Sequence, residues 1–189
     1  MNDITVCVAT IAPRASKLAR ALVSVATQTL QPAAIVVQYD HNHEGAPVTK
    51  NRALAEVTTE YVAFLDDDDA FTPDHLAVLY SSARETAADV TYGWYEVIGG
   101  ADPRPDRFGV PFDPDELRRG SYIHTAPLVR TKLLQAAGGF QHTATSKLDD
   151  WGAWLAMLDM GATFHHVPAK TYRWHHDGGN TSGDPTRWR

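Results

Sequence analysis

The chain has 189 residues, of which 43% are hydrophobic, with a formal net charge of −6 and a single cysteine, Cys7. That length suits one domain around one core, the acidic balance argues against a general polyanion binder, and one cysteine excludes an intramolecular disulfide and a Cys-based zinc cluster. No stretch approaches the roughly 20 apolar residues of a transmembrane helix, and the apolar run Ile4 to Ala9 is too short and lacks the basic flank of a signal peptide, so a soluble, cytoplasmic protein is expected.

The first half alternates strand and helix. Ile4–Ala9 reads as a strand, and Ala15–Thr27 as a helix with Leu18, Leu22 and Val25 on one face. Ala34–Tyr39 is a second apolar strand, Thr49–Val57 a short helix, and Tyr61–Leu65 a third strand that ends at Asp66-Asp67-Asp68-Asp69. Thr72-Pro73-Asp74 predicts a helix start, with Thr at the N-cap and Pro at the first helical position, running to about Thr86. Val90–Ile98 returns as a strand.

The second half is less regular. Gly99–Pro111 is rich in Pro, Gly and Asp and reads as a long mobile loop. Pro114–Arg119 predicts a helical turn capped by Asp113, Ala126–Arg130 a strand, and Thr131–Ala137 a helix that Gly138-Gly139 terminates. Asp149–Met160 is an amphipathic helix closed by Gly161. Thr163–Val167 and Ala169–Trp174 read as two closing strands around Pro168, and 177–189 as a polar, flexible tail.

This order predicts an α/β single domain with a mainly parallel central sheet and helices on both faces. Ligands in such sheets bind at the carboxyl ends of the strands. Thr10–Arg14, Asp40–Glu44 and Asp66–Asp69 would therefore line one cleft. Residues 1–98 are expected to make one half of that domain and 99–176 the other.

The acidic run is an electrostatic problem. Of 23 acidic residues, 17 are Asp, and four are consecutive. Carboxylates ~5 Å apart repel by about 3 kcal/mol per pair at an effective dielectric near 20. A hard divalent cation relieves that strain: Mg²⁺ or Mn²⁺ takes one or two protein carboxylates and completes its shell with phosphates and water. Alternation along the chain lets Asp66 and Asp68 share a direction while Asp67 points elsewhere. The competing reading is an acidic loop in which Asp69 or Thr72 merely caps the next helix.

Phe64-Leu65-Asp66-Asp67-Asp68-Asp69 resembles the Asp-x-Asp segment of family 2 glycosyltransferases of the GT-A fold. Val8-Ala9-Thr10-Ile11-Ala12-Pro13-Arg14 is similar to that family's first nucleotide loop, and Leu22-Val23-Ser24-Val25-Ala26-Thr27-Gln28 to its first helix. Lys50-Asn51-Arg52-Ala53-Leu54 resembles its Arg-Asn-x-Gly-Leu segment, and Gly138-Gly139-Phe140 the turn before its acceptor half. Asp149-Asp150-Trp151 resembles the motif that supplies its catalytic base. Val167-Pro168 and Tyr172-Arg173-Trp174-His175 resemble its C-terminal segment. Pro13, His41, Lys50 and Ala53 depart from the usual residues.

The resemblance implies a metal-dependent, inverting glycosyltransferase with a nucleotide-diphospho-sugar donor (a uridine nucleotide by default) and a hydroxyl acceptor. Asp68 would ligate Mn²⁺ or Mg²⁺, with His175 or His176 as a further ligand. Thr10, Arg14, Asp40, Asn51, Asp66 and Asp67 would bind the nucleotide-sugar. Asp150 would be the base, with Asp149 beside it at the helix start. Lys50 is expected to be solvated, and Trp151 and Trp154 to belong to the core. The alternative is a non-catalytic nucleotide- or sugar-binding module on the same fold. A phosphatase that carries its aspartates after the first strand does not fit, and neither does a nucleotidyltransferase with a Gly-rich N-terminal loop.

Overall fold

Along Tyr61–Asp66, strand β3, alternate side chains enter two separate cores. Val62 and Phe64 point to one and Tyr61, Ala63 and Leu65 to the other. Period-two alternation with both faces apolar requires cover on both sides of the sheet, and the flanking elements supply it. The structure is a computed structural model that describes residues 3–101, 109–144 and 148–176. The expected flexible tail and most of the expected mobile loop lie outside the described residues.

In chain order the elements before β3 are β1 (Ile4–Thr10), α1 (Ala15–Ala26), β2 (Ala34–Tyr39) and α2 (Ala46–Ala55). After it come β4 (Ala70–Phe71), α3 (His75–Thr86), β5 (Val90–Ile98), α4 (Pro114–Arg119), β6 (Leu128–Arg130), α5 (Thr131–Ala136), α6 (Asp149–Asp159) and β7 (Phe164–His175). The sheet runs β2-β1-β3-β6-β5-β7-β4. Pairs β1–β2, β1–β3 and β5–β7 are parallel, whereas β3–β6, β5–β6 and β4–β7 are antiparallel. The expected α/β class holds. Helices α1 and α3 cover one face through Leu18, Ala21, Val25, Leu76 and Leu79. Helices α2, α5 and α6 cover the other through Ala53, Leu54, Leu134, Trp154 and Met157. Trp154 is fully buried, as its reading as a core residue requires. Burying each such large side chain contributes about 1.5–3 kcal/mol.

From β1 the chain builds outward to β2 and then crosses to β3 on the other side. That reversal opens a crevice at the carboxyl ends of β1 and β3. The loop after β1 and the four aspartates after β3 both empty into it.

Two local expectations change. Helix α3 begins at His75 with Asp74 at its N-cap position, not with Thr72. The single Thr72 hydroxyl proton is shared between Asp74 Oδ1 (2.8 Å) and Thr171 O (3.2 Å) of β7. The two closing strands are one continuous β7 that runs through Pro168. Against β5 its register steps from Tyr92↔His166 to Trp94↔Lys170, so β7 carries extra residues there. Pro168 falls in that irregularity, where its missing N–H breaks no regular ladder.

Candidate active site

The aspartate turn is held by the protein's own cations. Asp67 is buried; it accepts from the Thr10 hydroxyl (2.6 Å) and from Arg14 Nη1 (2.7 Å). Loop β1–α1 and the end of β3 are thereby locked together. Asp68 Oδ2 lies 3.5 Å from Arg14 Nη1 and 3.9 Å from Lys17 Nζ, and its carbonyl accepts from Arg20. Burial, then the neighbouring Asp66 charge, push the Asp68 carboxyl up to about 6, with Arg14 pulling back.

Asp69 does not begin a helix. It is buried, and it accepts from the Tyr172 hydroxyl and from the His175 backbone N–H (2.7 Å), clamping β7 to the turn. Burial and the charges of Asp66 and Asp68 hold its carboxyl well above the ordinary range.

Asp66 is the most open of the four, and it faces Lys50. Lys50, expected in solvent, is only 5% exposed. Its ammonium lies 3.3 Å from Asp66 Oδ1, 3.1 Å from Asp149 Oδ2 and 3.3 Å from Thr125 Oγ1, and sits over the Phe140 ring. Burial alone would lower its proton affinity, but Asp149, Asp66 and Asp150 more than offset this and hold it charged. One nitrogen thus spans the aspartate turn and the start of α6.

Asp149 and Asp150 open α6, where carboxylates also complement the helix dipole. Asp150 Oδ1 accepts from the Trp151 backbone N–H (2.8 Å). Burial and the adjacent Asp149 raise its carboxyl well above the ordinary range, against the lowering effect of Lys50. A carboxylate with raised proton affinity beside a cleft is the usual state of a base that works near neutral pH. The helix start is set by close packing: a Cβ on Gly152 would fall 1.9 Å from Gln141 O, so glycine is required for this approach.

Asn51, expected at the nucleotide-sugar, bonds the backbone of Phe140. Its Nδ2 donates to Phe140 O and its Oδ1 accepts from Phe140 N, both at 2.8 Å. The side chain is spent on the turn that precedes α6, which leaves its amide committed away from a nucleotide. Gly139 in that turn has φ +69, and a Cβ there would meet Asn51 Oδ1 at 2.1 Å. Asp40 accepts from Glu44 N and Gly45 N (2.9 and 2.8 Å), which closes the loop after β2 and lowers its carboxyl pKa. Its own N–H donates to Thr10 O, so it stands beside the first loop as expected.

The expected metal set is not assembled as a cage. Among the described residues no group of three or more His, Cys, Asp or Glu side chains gathers in metal-ligating geometry, so Asp68, His175 and His176 do not form one. His175 meets the turn through its backbone, while His176 bonds Ile98 O through its backbone and packs its ring on Trp174. Neighbours on a strand point to opposite faces. The carboxylate oxygens of Asp66 and Asp68 are nonetheless a hard donor set, and burial leaves Asp68 short of compensating charge. That suits a Mg²⁺ or Mn²⁺ that draws its remaining ligands from a diphosphate and water.

Lys50 is expected in solvent and is buried, and Lys17, Arg20 and Gly152 carry no signal in the sequence that marks them for the site. A basic residue 16 positions before an acidic run carries no local signal of pairing.

The glycosyl transferase family 2 model matches residues 14–125. The chain belongs to glycosyl transferase family 2. The match covers Arg14, Asp40, Lys50 and the aspartate turn, and ends before α6. A comparison with curated proteins gives no match. Among solved structures, S. aureus TarS 1–349 in complex with UDP-GlcNAc is similar at TM-score 0.78 and 18% identity, over 97% of this chain and 61% of that one. TarS 1–349 alone aligns at TM-score 0.75 and 18% identity, over 93% and 60%. The mannosyltransferase PcManGT from Pyrobaculum calidifontis, in complex with GDP-Man and Mn²⁺, aligns at TM-score 0.67 and 16% identity, over 96% and 58%. At such identity these likenesses establish the shared fold, which is the expected GT-A-like one. This family 2 chain spans about three-fifths of the length of those proteins. No helix among its described residues is long and apolar enough to cross a membrane.

Proposed function

We propose that this family 2 chain transfers a sugar from a nucleotide-diphospho-sugar to a hydroxyl acceptor, with inversion and with help from a divalent metal. The observation that carries the reading is the meeting of two carboxylate sets across one ammonium: Asp66 of the aspartate turn and Asp149 of α6, both within 3.3 Å of Lys50 Nζ. One set has the chemistry for a donor diphosphate, and the other carries a base.

In this reading Thr10, Arg14 and Asp40 line the nucleoside edge, and Asp67 holds Thr10 and Arg14 in place. Asp66 and Asp68 would hold Mn²⁺ or Mg²⁺, which supplies positive charge against the departing diphosphate. Asp150 accepts the proton of the acceptor hydroxyl as that oxygen bonds to the anomeric carbon. The bond from the anomeric carbon to the diphosphate breaks on the opposite face, and the electron pair leaves with the nucleotide. TarS and PcManGT were solved with UDP-GlcNAc and with GDP-Man and Mn²⁺, which supports testing both donor classes.

The test is a thermal-shift screen of UDP- and GDP-sugars with and without Mn²⁺, followed by release of the nucleotide diphosphate. Stabilisation that needs one donor together with the metal, and release of its nucleotide, are expected. Stabilisation by no donor would overturn the reading. Binding without release would leave a nucleotide-sugar-binding module.

A further inference from the structure

Lys50 is unusual for a lysine: it is nearly inaccessible, charged, and shared between two carboxylates far apart in sequence. It lies on α2, whose next residue, Asn51, fixes the Phe140 backbone with two hydrogen bonds. The Phe140 ring in turn lies against the Lys50 ammonium. Thr125 supplies one more partner. A buried ammonium is costly in lost hydration unless charge and hydrogen bonds offset it. An apolar residue would fill this space without that cost, so stability alone is a poor reason for a lysine here.

We infer that Lys50 is a positioning residue, whose single buried ammonium ties Asp66 of the donor wall to Asp149 and thereby fixes the alignment and charge balance of the neighbouring base, Asp150. The inference rests on the proposed function for the word base; the linkage itself is independent of it. The charged groups acting on Asp150 are Asp149 from its own helix, Lys50 from α2 and Asp66 from β3. Arg118 of α4 pairs with Asp159 at the far end of α6. Lys50 is the cation among the three, and its ammonium lies 3.1 Å from Asp149 Oδ2 at the helix start. Were Asp66 to hold a metal, Asp149 would be the ion-pair partner left to the ammonium among the described residues.

The test compares Lys50→Met and Lys50→Arg with the unaltered chain. Met keeps the stem and removes the charge; Arg keeps the charge. The first readout needs no turnover: the titration midpoint of the Asp150 side-chain carboxyl, followed by carbon-13 NMR in metal-free and donor-free protein. Loss of a neighbouring cation raises a carboxyl's proton affinity. Lys50→Met is expected to raise the midpoint by one pH unit or more, a tenfold change in proton affinity, and Lys50→Arg to keep it within half a unit. The second readout is donor cleavage with UDP-GlcNAc or GDP-mannose and Mn²⁺. Lys50→Met is expected to lower kcat tenfold or more at pH 7 with donor KM changed less than threefold. The acid limb of its pH profile should shift upward with the NMR midpoint, and Lys50→Arg should restore both.

An unmoved midpoint in a folded Lys50→Met variant overturns the inference, as does an Arg variant that behaves like Met. Should Lys50→Met fail to fold, Lys50→Arg together with Asp66→Asn decides the matter. Asp66→Asn removes one claimant on the ammonium and, with it, one charge that raises Asp150, so the Asp150 midpoint must fall; an unchanged midpoint there overturns the inference. A wild-type chain that cleaves no UDP- or GDP-sugar of the screen defeats the proposed function and leaves the NMR readout to judge Lys50.

Discussion

The side-chain amide of Asn51 and the backbone of Phe140 exchange two hydrogen bonds, each 2.8 Å long, across 89 residues of sequence. Replacing Asn51 by Ala leaves a backbone N–H and a C=O without those partners at a part-buried site. Such losses cost about 1–3 kcal/mol each. Asn51→Ala should therefore lower unfolding stability by about 2–6 kcal/mol in urea titrations. A variant within 0.5 kcal/mol of the parent would show that this link is dispensable.

Asp69 and Tyr172 make the corresponding clamp on β7. Tyr172→Phe removes the hydroxyl that Asp69 Oδ2 accepts from and leaves that buried oxygen without its donor. A loss of about 1–3 kcal/mol in stability is expected, with faster amide exchange in the C-terminal half of β7. Unchanged exchange there would separate Tyr172 from the clamp.

Protons should compete with the metal at Asp68. Its carboxyl is pushed up to about 6 when no metal is present, and only the ionised form ligates. Above pH 6 the group is already ionised and Mn²⁺ affinity should be flat. Below pH 6 each pH unit should weaken binding by up to tenfold, as measured by calorimetry in the presence of a nucleotide diphosphate. Affinity that is unchanged between pH 7 and pH 5 would remove Asp68 from the ligand set.

Asp150→Asn keeps the shape of the helix start and removes the proton acceptor. Turnover is expected to fall by roughly 10²–10⁴, while donor Kd stays within threefold. Transfer at the parental rate would assign the base elsewhere.

What could be read in the sequence followed the range of the interaction. The aspartate turn was legible because its four members are adjacent and an apolar strand delivers them. The Asp113 cap on α4 was legible for the same reason: Asp115 and Glu116 donate to it from within one turn. The Thr72 cap was misread because Thr171, 99 residues away, competes for the same hydroxyl. Pro168 suggested a break between two strands, but the slippage that accommodates it belongs to the pairing with β5 and not to β7 alone. Lys50 was read as solvated because its partners are 16 and 99 positions away. Family resemblance singles out the aspartates, the start of α6 and Asn51; the bonds that commit Asn51 come from a turn 89 residues away, which no local pattern shows.

The clamp between Asp69 and Tyr172 spans 103 residues, and this has a kinetic consequence. Contacts of such sequence separation form late, because a long loop must close before they repay its entropy. On a ribosome, the aspartate turn therefore emerges well before the strand that secures it, and before the helix that shares Lys50 with it. Arg14 and Thr10, already synthesised, are the partners that can hold Asp67 during that interval. Maturation of the cleft should thus be the last event in folding, with protection of α1 and β1–β3 in pulsed hydrogen exchange preceding that of β7.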